Sequence, residues 1–99
     1  MDSLFLYNNE EIKKIIGTKI KRYRINAGYS QSDLAKRSGI SIHSISNIEN
    51  GNGFTLDNLL NIMRSLNLIN NIDKLIPDVA DNPFDIESGI IDRQRIRKK

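Results

Sequence analysis

The chain has 99 residues, 38% hydrophobic and 27% charged, which is the size and balance of one globular domain with a modest core. With no cysteine, disulfides and thiolate metal sites are excluded, and no apolar run is long enough to span a bilayer. The start, "MDSLFLYNNEEIKK", puts Asp2 before its short apolar run and has no small-residue cleavage site after it; no signal peptide and a cytoplasmic location are expected. Net charge is +3, unevenly spread. Residues 1–29, 30–66, 67–89 and 90–99 carry +3, 0, −4 and +4. A basic helix and a basic end around an acidic stretch suit polyanion binding at some surfaces, although solvated faces would look the same.

From Asn9 to Ala27, Ile12, Ile15, Ile16, Ile20 and Tyr23 recur at steps of three and four, the spacing of an amphipathic helix. Lys13, Lys14, Lys19, Lys21 and Arg22 fall on its wetter side. Asn8 or Asn9 suits the N-cap, Glu10 and Glu11 the first turn, and Gly28 the stop. Ser30 then caps a second helix, with Asp33 in a capping-box position, Leu34 and Ala35 inward, and Gly39 closing it after two turns. Ser41 caps a third short helix that ends at Gly51. Thr55 caps a fourth, whose expected apolar stripe is Leu56, Leu59, Leu60, Met63 and Leu66. A short fifth helix starts at Asn70 or Asn71, runs through Asp73, Lys74 and Leu75, and stops at Pro77.

The fold class expected is therefore all-α: a compact bundle of four to five helices. Residues 1–8 form an N-terminal segment, 9–76 the domain, and 77–99 a C-terminal extension. In "IIDRQRIRKK" the residues alternate with a period of two, which suits a strand. A lone strand in a helical monomer is either disordered or paired with another chain, most simply a second copy.

The third helix is the informative one. At about 100° per residue from Ile42, Ile45 falls near 300° and Ile48 near 240°, so these three define the expected inward stripe. His43, Ser46, Asn47 and Asn50 fall between about 40° and 140°, on the outside. That face offers an imidazole, a hydroxyl and two amides, with no acid and no Lys or Arg. A merely soluble face would carry better helix formers such as Glu and Lys. Short donors and acceptors at fixed positions are what base edges in a major groove require. Glu49 falls near 340°, on the core side, where an unpaired carboxylate is costly. Arg24, at the end of the first helix, is best placed to form a structural ion pair with it.

These residues carry a resemblance. "IGTKIKRYRINAGYSQSDLAKRSGISIHSISNIENG…TLDNLLNIMRSLNL" resembles the helix-turn-helix domain of the phage-repressor and Cro (Xre) family. The shared features are Arg24, Ser30-Gln31, Leu34-Ala35, the turn at Gly39 and the closing "ISNIENG". One departure is "NGNGF", where the family usually has a proline. The resemblance implies that Gln31 binds a phosphate and buttresses the recognition helix, and that Ser41, Ser44 and Asn50 touch the DNA backbone. It also implies that Ile42, His43 and Asn47 reach base edges: Asn47 on adenine, His43 on guanine, Ile42 on a thymine methyl. For Ile42 a core-edge position is the competing reading.

Dimerisation is expected because two half-sites one helical turn apart multiply discrimination; the fourth and fifth helices, with Leu66, Leu68 and Ile69, are the expected contact. The segment "IDKLIPDVADNPFDIESGIIDRQRIRKK" is similar to the ends of regulators encoded beside HipA-type kinases, and "TLDNLLNIMRSLNL" resembles the fourth helix of HipB-type antitoxins. This resemblance implies an antitoxin that represses its own operon and holds a HipA-like kinase toxin. The expected partner is double-stranded DNA with a palindromic operator, with no membrane and no cofactor. A lone histidine without acidic or thiol partners is a poor metal ligand. The competing class is a protein-binding adaptor that no longer reads DNA, since few Lys or Arg lie in residues 30–51. An enzyme is not expected: one histidine, no cysteine and no Gly-rich phosphate loop leave no catalytic constellation.

Overall fold

A computed structural model describes residues 3–79 of the chain. Its helices are α1 (Asn9–Asn26), α2 (Gln31–Ser38), α3 (Ile42–Glu49), α4 (Leu56–Ser65) and α5 (Ile72–Leu75), with 3-10 turns at Leu4–Leu6 and Ile69–Asn71. The described residues contain no strand, and the fold is all-α. The alternating segment at 90–97, the acidic stretch from residue 80 on and the basic end lie outside the described residues. Described residues up to Ile69 form one compact unit and those from Asn70 another, a division that falls within the stretch 9–76.

Each helix of the first unit starts where a short polar side chain meets an orphan backbone N–H. The Asn8 carboxamide oxygen accepts from the Glu11 amide at 2.8 Å, and the Glu11 carboxylate accepts from the Asn8 amide at 2.9 Å. Ser30 and Asp33 repeat this reciprocal box, at 3.0 and 2.9 Å. Ser41 and Thr55 cap α3 and α4 through the Ser44 and Asn58 amides, each at 3.1 Å. Caps of this kind are worth about 0.5–2 kcal/mol each. They matter here because α2 and α3 have only eight residues each, too few to persist on propensity alone. Gly39 closes α2 in the left-handed conformation, with φ 72°, which a Cβ would penalise.

The core gathers Ile20 of α1, Leu34 and Ala35 of α2, Ile45 and Ile48 of α3, Ile62 and Leu66 of α4, and Ile40 from the turn between α2 and α3. Ile16, Tyr29, Phe54, Leu59 and Leu68 pack against it. Within this unit α3 lies against both α1 and α2, while α2 also meets α4. Burying an aliphatic side chain fully is worth about 1.5–3 kcal/mol, so α3 is fixed chiefly by Ile45 and Ile48.

Three expected core positions move outward. Tyr23 is exposed, and the buried line of α1 is Gly17, Ile20 and Arg24, with Ile16 beside it. On α3, Ile42 is 50% exposed, and the buried residues are Ile45, Ile48 and Glu49, all beyond the first turn. On α4, Leu56 is 62% exposed, whereas Ile62, absent from the expected stripe, is fully buried. The apolar residues of α4 cover a wide arc, and its core-facing edge runs through Leu59, Ile62 and Leu66. Leu66 lies in the core, and Leu68 packs against it half-buried.

Candidate nucleic-acid interface

The outer face of α3 begins at its cap. The Ser41 hydroxyl accepts from the Ser44 amide and lies 3.0 Å from the Ser44 hydroxyl, to which it donates. In the first turn Ile42 and His43 are exposed, and one turn on Asn47 is half-buried beside His43. The Asn47 carboxamide nitrogen stands 3.2 Å from His43 Nε2, across the i to i+4 spacing that brings side chains together on one helix face. Asn50, the C-cap residue, is exposed and its backbone N–H is used by the Ser46 carbonyl. Ile42, His43, Asn47 and Asn50 therefore share one wet surface, with Ser41 at one end. Ser44 sits half-buried behind the cap.

Behind that surface α3 is tied to its neighbours through one carboxylate. Arg24 Nε donates to Glu49 Oε2 at 2.6 Å and Arg24 Nη2 to Oε1 at 3.1 Å, a two-pronged guanidinium–carboxylate contact. Both side chains are buried. The third prong, Arg24 Nη1, donates to the Tyr29 carbonyl at 2.8 Å, and Gln31 Nε2 donates to Glu49 Oε1 at 3.1 Å. No buried side-chain polar atom among the described residues lacks a partner. Charges buried with complete hydrogen bonding are tolerated, and losing one partner is what becomes expensive. The arrangement brings together Arg24, Gln31 and Glu49 on the inner side and leaves Ser41, Ile42, His43, Asn47 and Asn50 on the outer side.

Sequence reasoning missed three supports of this site. Gly17 lets the α1 backbone reach the carbonyl end of α3: a Cβ there would collide with the Ile48 carbonyl oxygen and stand 2.8 Å from that of Glu49. Gly51, at φ 81°, lies against Lys14, so the last turn of α3 passes close to the start of α1. Tyr29 contributes its carbonyl to Arg24 and its ring to Arg37, whose guanidinium carbon is 4.3 Å from the ring centroid, within cation–π range. Only the positive-φ role of Gly51 had a local signal, its place just after a helix. The other two depend on which helices meet.

No group of three or more His, Cys, Asp or Glu side chains that could hold a metal occurs among the described residues, and no described helix is long and apolar enough to cross a membrane. A family model described as helix-turn-helix matches residues 20–69, half of the chain. The matched stretch takes in the last two turns of α1, all of α2, α3 and α4, and the start of the following 3-10 turn. Comparison with curated proteins gives no match.

Proposed function

The chain belongs to the Xre/Cro-type helix-turn-helix family of DNA-binding transcription regulators, and from that premise we propose that it is a dimeric repressor reading a palindromic operator through α3. The observation that carries this reading is the pairing of a wet, uncharged hydrogen-bonding face on α3 with a buried carboxylate behind it. The first can exchange hydrogen bonds with base edges. The second holds α3 against α1 and α2, so that the face is presented in one orientation, as precise readout requires.

The roles divide accordingly. His43, Asn47 and Ile42 address bases, while Ser41, Ser44 and Asn50 address the sugar-phosphate backbone and set register. Gln31 has one amide hydrogen on Glu49, and its second is directed to a phosphate. The dimer forms along the outer edge of α4, where Leu56 is exposed and Leu60 and Met63 are only half-buried. Two copies then read half-sites about one helical turn, roughly 34–36 Å, apart. The antitoxin form of this reading, with a HipA-like kinase held in a complex, is supported by the resemblance of residues 72–99 to the ends of such regulators.

Binding measured against salt, on a selected operator and on random DNA, tests the proposal. A sequence reader loses affinity steeply as salt rises yet keeps its preference for the operator. Asn47→Ala then loses that preference, whereas Gln31→Ala weakens all sequences alike. Lys36 and Arg37 are the only Lys or Arg between 30 and 51, which favours the adaptor as second reading. Equal affinity for operator and random DNA would decide for it.

A further inference from the structure

His43 and Asn47 stand in a relation that the assignment of separate base contacts does not use. A carboxamide nitrogen carries two hydrogens and no available lone pair, so it can only donate. The 3.2 Å contact between Asn47 Nδ2 and His43 Nε2 therefore requires the lone pair on Nε2, and a neutral ring carries its proton on Nδ1. One Nδ2 hydrogen of Asn47 is engaged by the ring. The second hydrogen and the carbonyl oxygen Oδ1 are left for a further partner. One donor and one acceptor on one edge are the pair that adenine N7 and N6–H require. A carboxamide without His43 could turn over and offer the same two groups in reversed order.

We infer that His43 is a positioning residue for Asn47: the imidazole fixes which way the Asn47 carboxamide faces and so makes the two residues one reading unit for adenine. This rests on the base-reading assignment above. The unit is specific to the order of the two residues, because an acceptor one helical turn before the asparagine is needed. A donor-only side chain at position 43 would hold Asn47 by its oxygen and turn the other edge outward. His43 keeps Nδ1–H for a neighbouring base or phosphate, so its own contact and its effect on Asn47 are separable.

Two measurements test the unit. The ring nitrogen shifts of His43, read by NMR on the full chain without DNA, are expected to show the proton on Nδ1. A proton on Nε2 would overturn the inference, whatever the chain does with DNA. The second is enrichment of binding sites from a random duplex library by the full chain and its variants. Bidentate readout separates the right base from the wrong one by roughly 5–150-fold. At the position where Asn47→Ala abolishes an adenine preference, His43→Ala is expected to reduce that preference about threefold or more, a coupling in the usual range for touching residues. The double variant should lose no more there than Asn47→Ala alone. His43→Gln, which restores an acceptor, should recover most of the preference. An adenine preference untouched by His43→Ala, or one not recovered by Gln, would sink the coupling alone. If the unaltered chain enriches no sequence, the base-reading assignment itself falls. Both side chains lie outside the core, so unchanged melting temperatures certify the variants.

Discussion

Gly17 of α1 faces the Ile48 carbonyl oxygen of α3 at a separation that admits a hydrogen but no methyl group. The two helix backbones therefore approach too closely there for a Cβ, and Ile48 itself is buried in the core. Alanine normally favours a helix interior over glycine by about 1 kcal/mol. Here the sign reverses. Gly17→Ala should destabilise the fold by about 1–3 kcal/mol, the usual cost of overpacking, and lower the melting temperature by roughly 4–8 °C per kcal/mol. Thermal unfolding followed by circular dichroism checks this, and an unchanged or raised midpoint would contradict the crossing.

The Arg24–Glu49 pair predicts an asymmetry between single and double substitution. Arg24→Met leaves a buried carboxylate with only Gln31 for a partner and should cost about 3–5 kcal/mol. Arg24→Met combined with Glu49→Leu removes both charges and should fall within about 2 kcal/mol of the parent. Chemical denaturation of the three proteins measures the difference. Equal losses in the single and the double variant would mean that the pair does not clamp α1 to α3.

Asp33 predicts a pH dependence. Hydrogen bonds from the Ser30 amide, foremost, and the Ser30 hydroxyl hold its carboxyl below the ordinary value of 3.8 against an opposing desolvation, with Lys36 and Arg37 adding lesser contributions. A carboxyl depressed in the folded state contributes stability that is complete above the unfolded value and is lost as pH falls through the folded one. Asp33→Asn keeps an acceptor but cannot titrate. It should therefore be less stable than the parent at neutral pH, with the gap closing as pH drops below 3.8. Melting curves at neutral and strongly acidic pH supply the check; a gap of constant size would remove the box as its source.

The two edges of α4 should respond differently. Ile62 is fully enclosed, and Ile62→Ala should cost about 2–5 kcal/mol. Leu56 is exposed, so Leu56→Ser should alter monomer stability by no more than about 0.5 kcal/mol. On the proposed dimer it should raise the dissociation constant. Sedimentation equilibrium of the Leu56→Ser protein reads this directly, and an unaltered constant would move the dimer contact elsewhere.

The elements themselves were legible in the sequence because their ends are marked by local chemistry. Ser30, Ser41 and Thr55 each sit three residues before the amide they cap, and Gly28, Gly39 and Gly51 adopt the positive φ that stops a helix. The outward face of α3 was legible for a related reason, since His43, Asn47 and Asn50 disfavour a buried stripe. Which apolar residues point inward was less so. Leu56, Leu60 and Met63 are as hydrophobic as Ile62, and only the position of α2 beside α4 selects among them. Ile42 fails for another reason: it stands in the first turn of an eight-residue helix whose buried residues all lie beyond that turn. Gly17 carried no sign at all, because its role is a crossing between segments about thirty residues apart.

Glu49 Oε1 receives hydrogen bonds from Arg24 and Gln31 at the same 3.1 Å, so a single oxygen atom joins three separate helices. Thermal motion that slides any one rod along its axis must stretch a bond to that atom. The consequence is mechanical: α3, the helix proposed to read DNA, and the interior of the domain cannot loosen independently. A change that relaxes the joint should therefore blur discrimination between sites before it unfolds the chain.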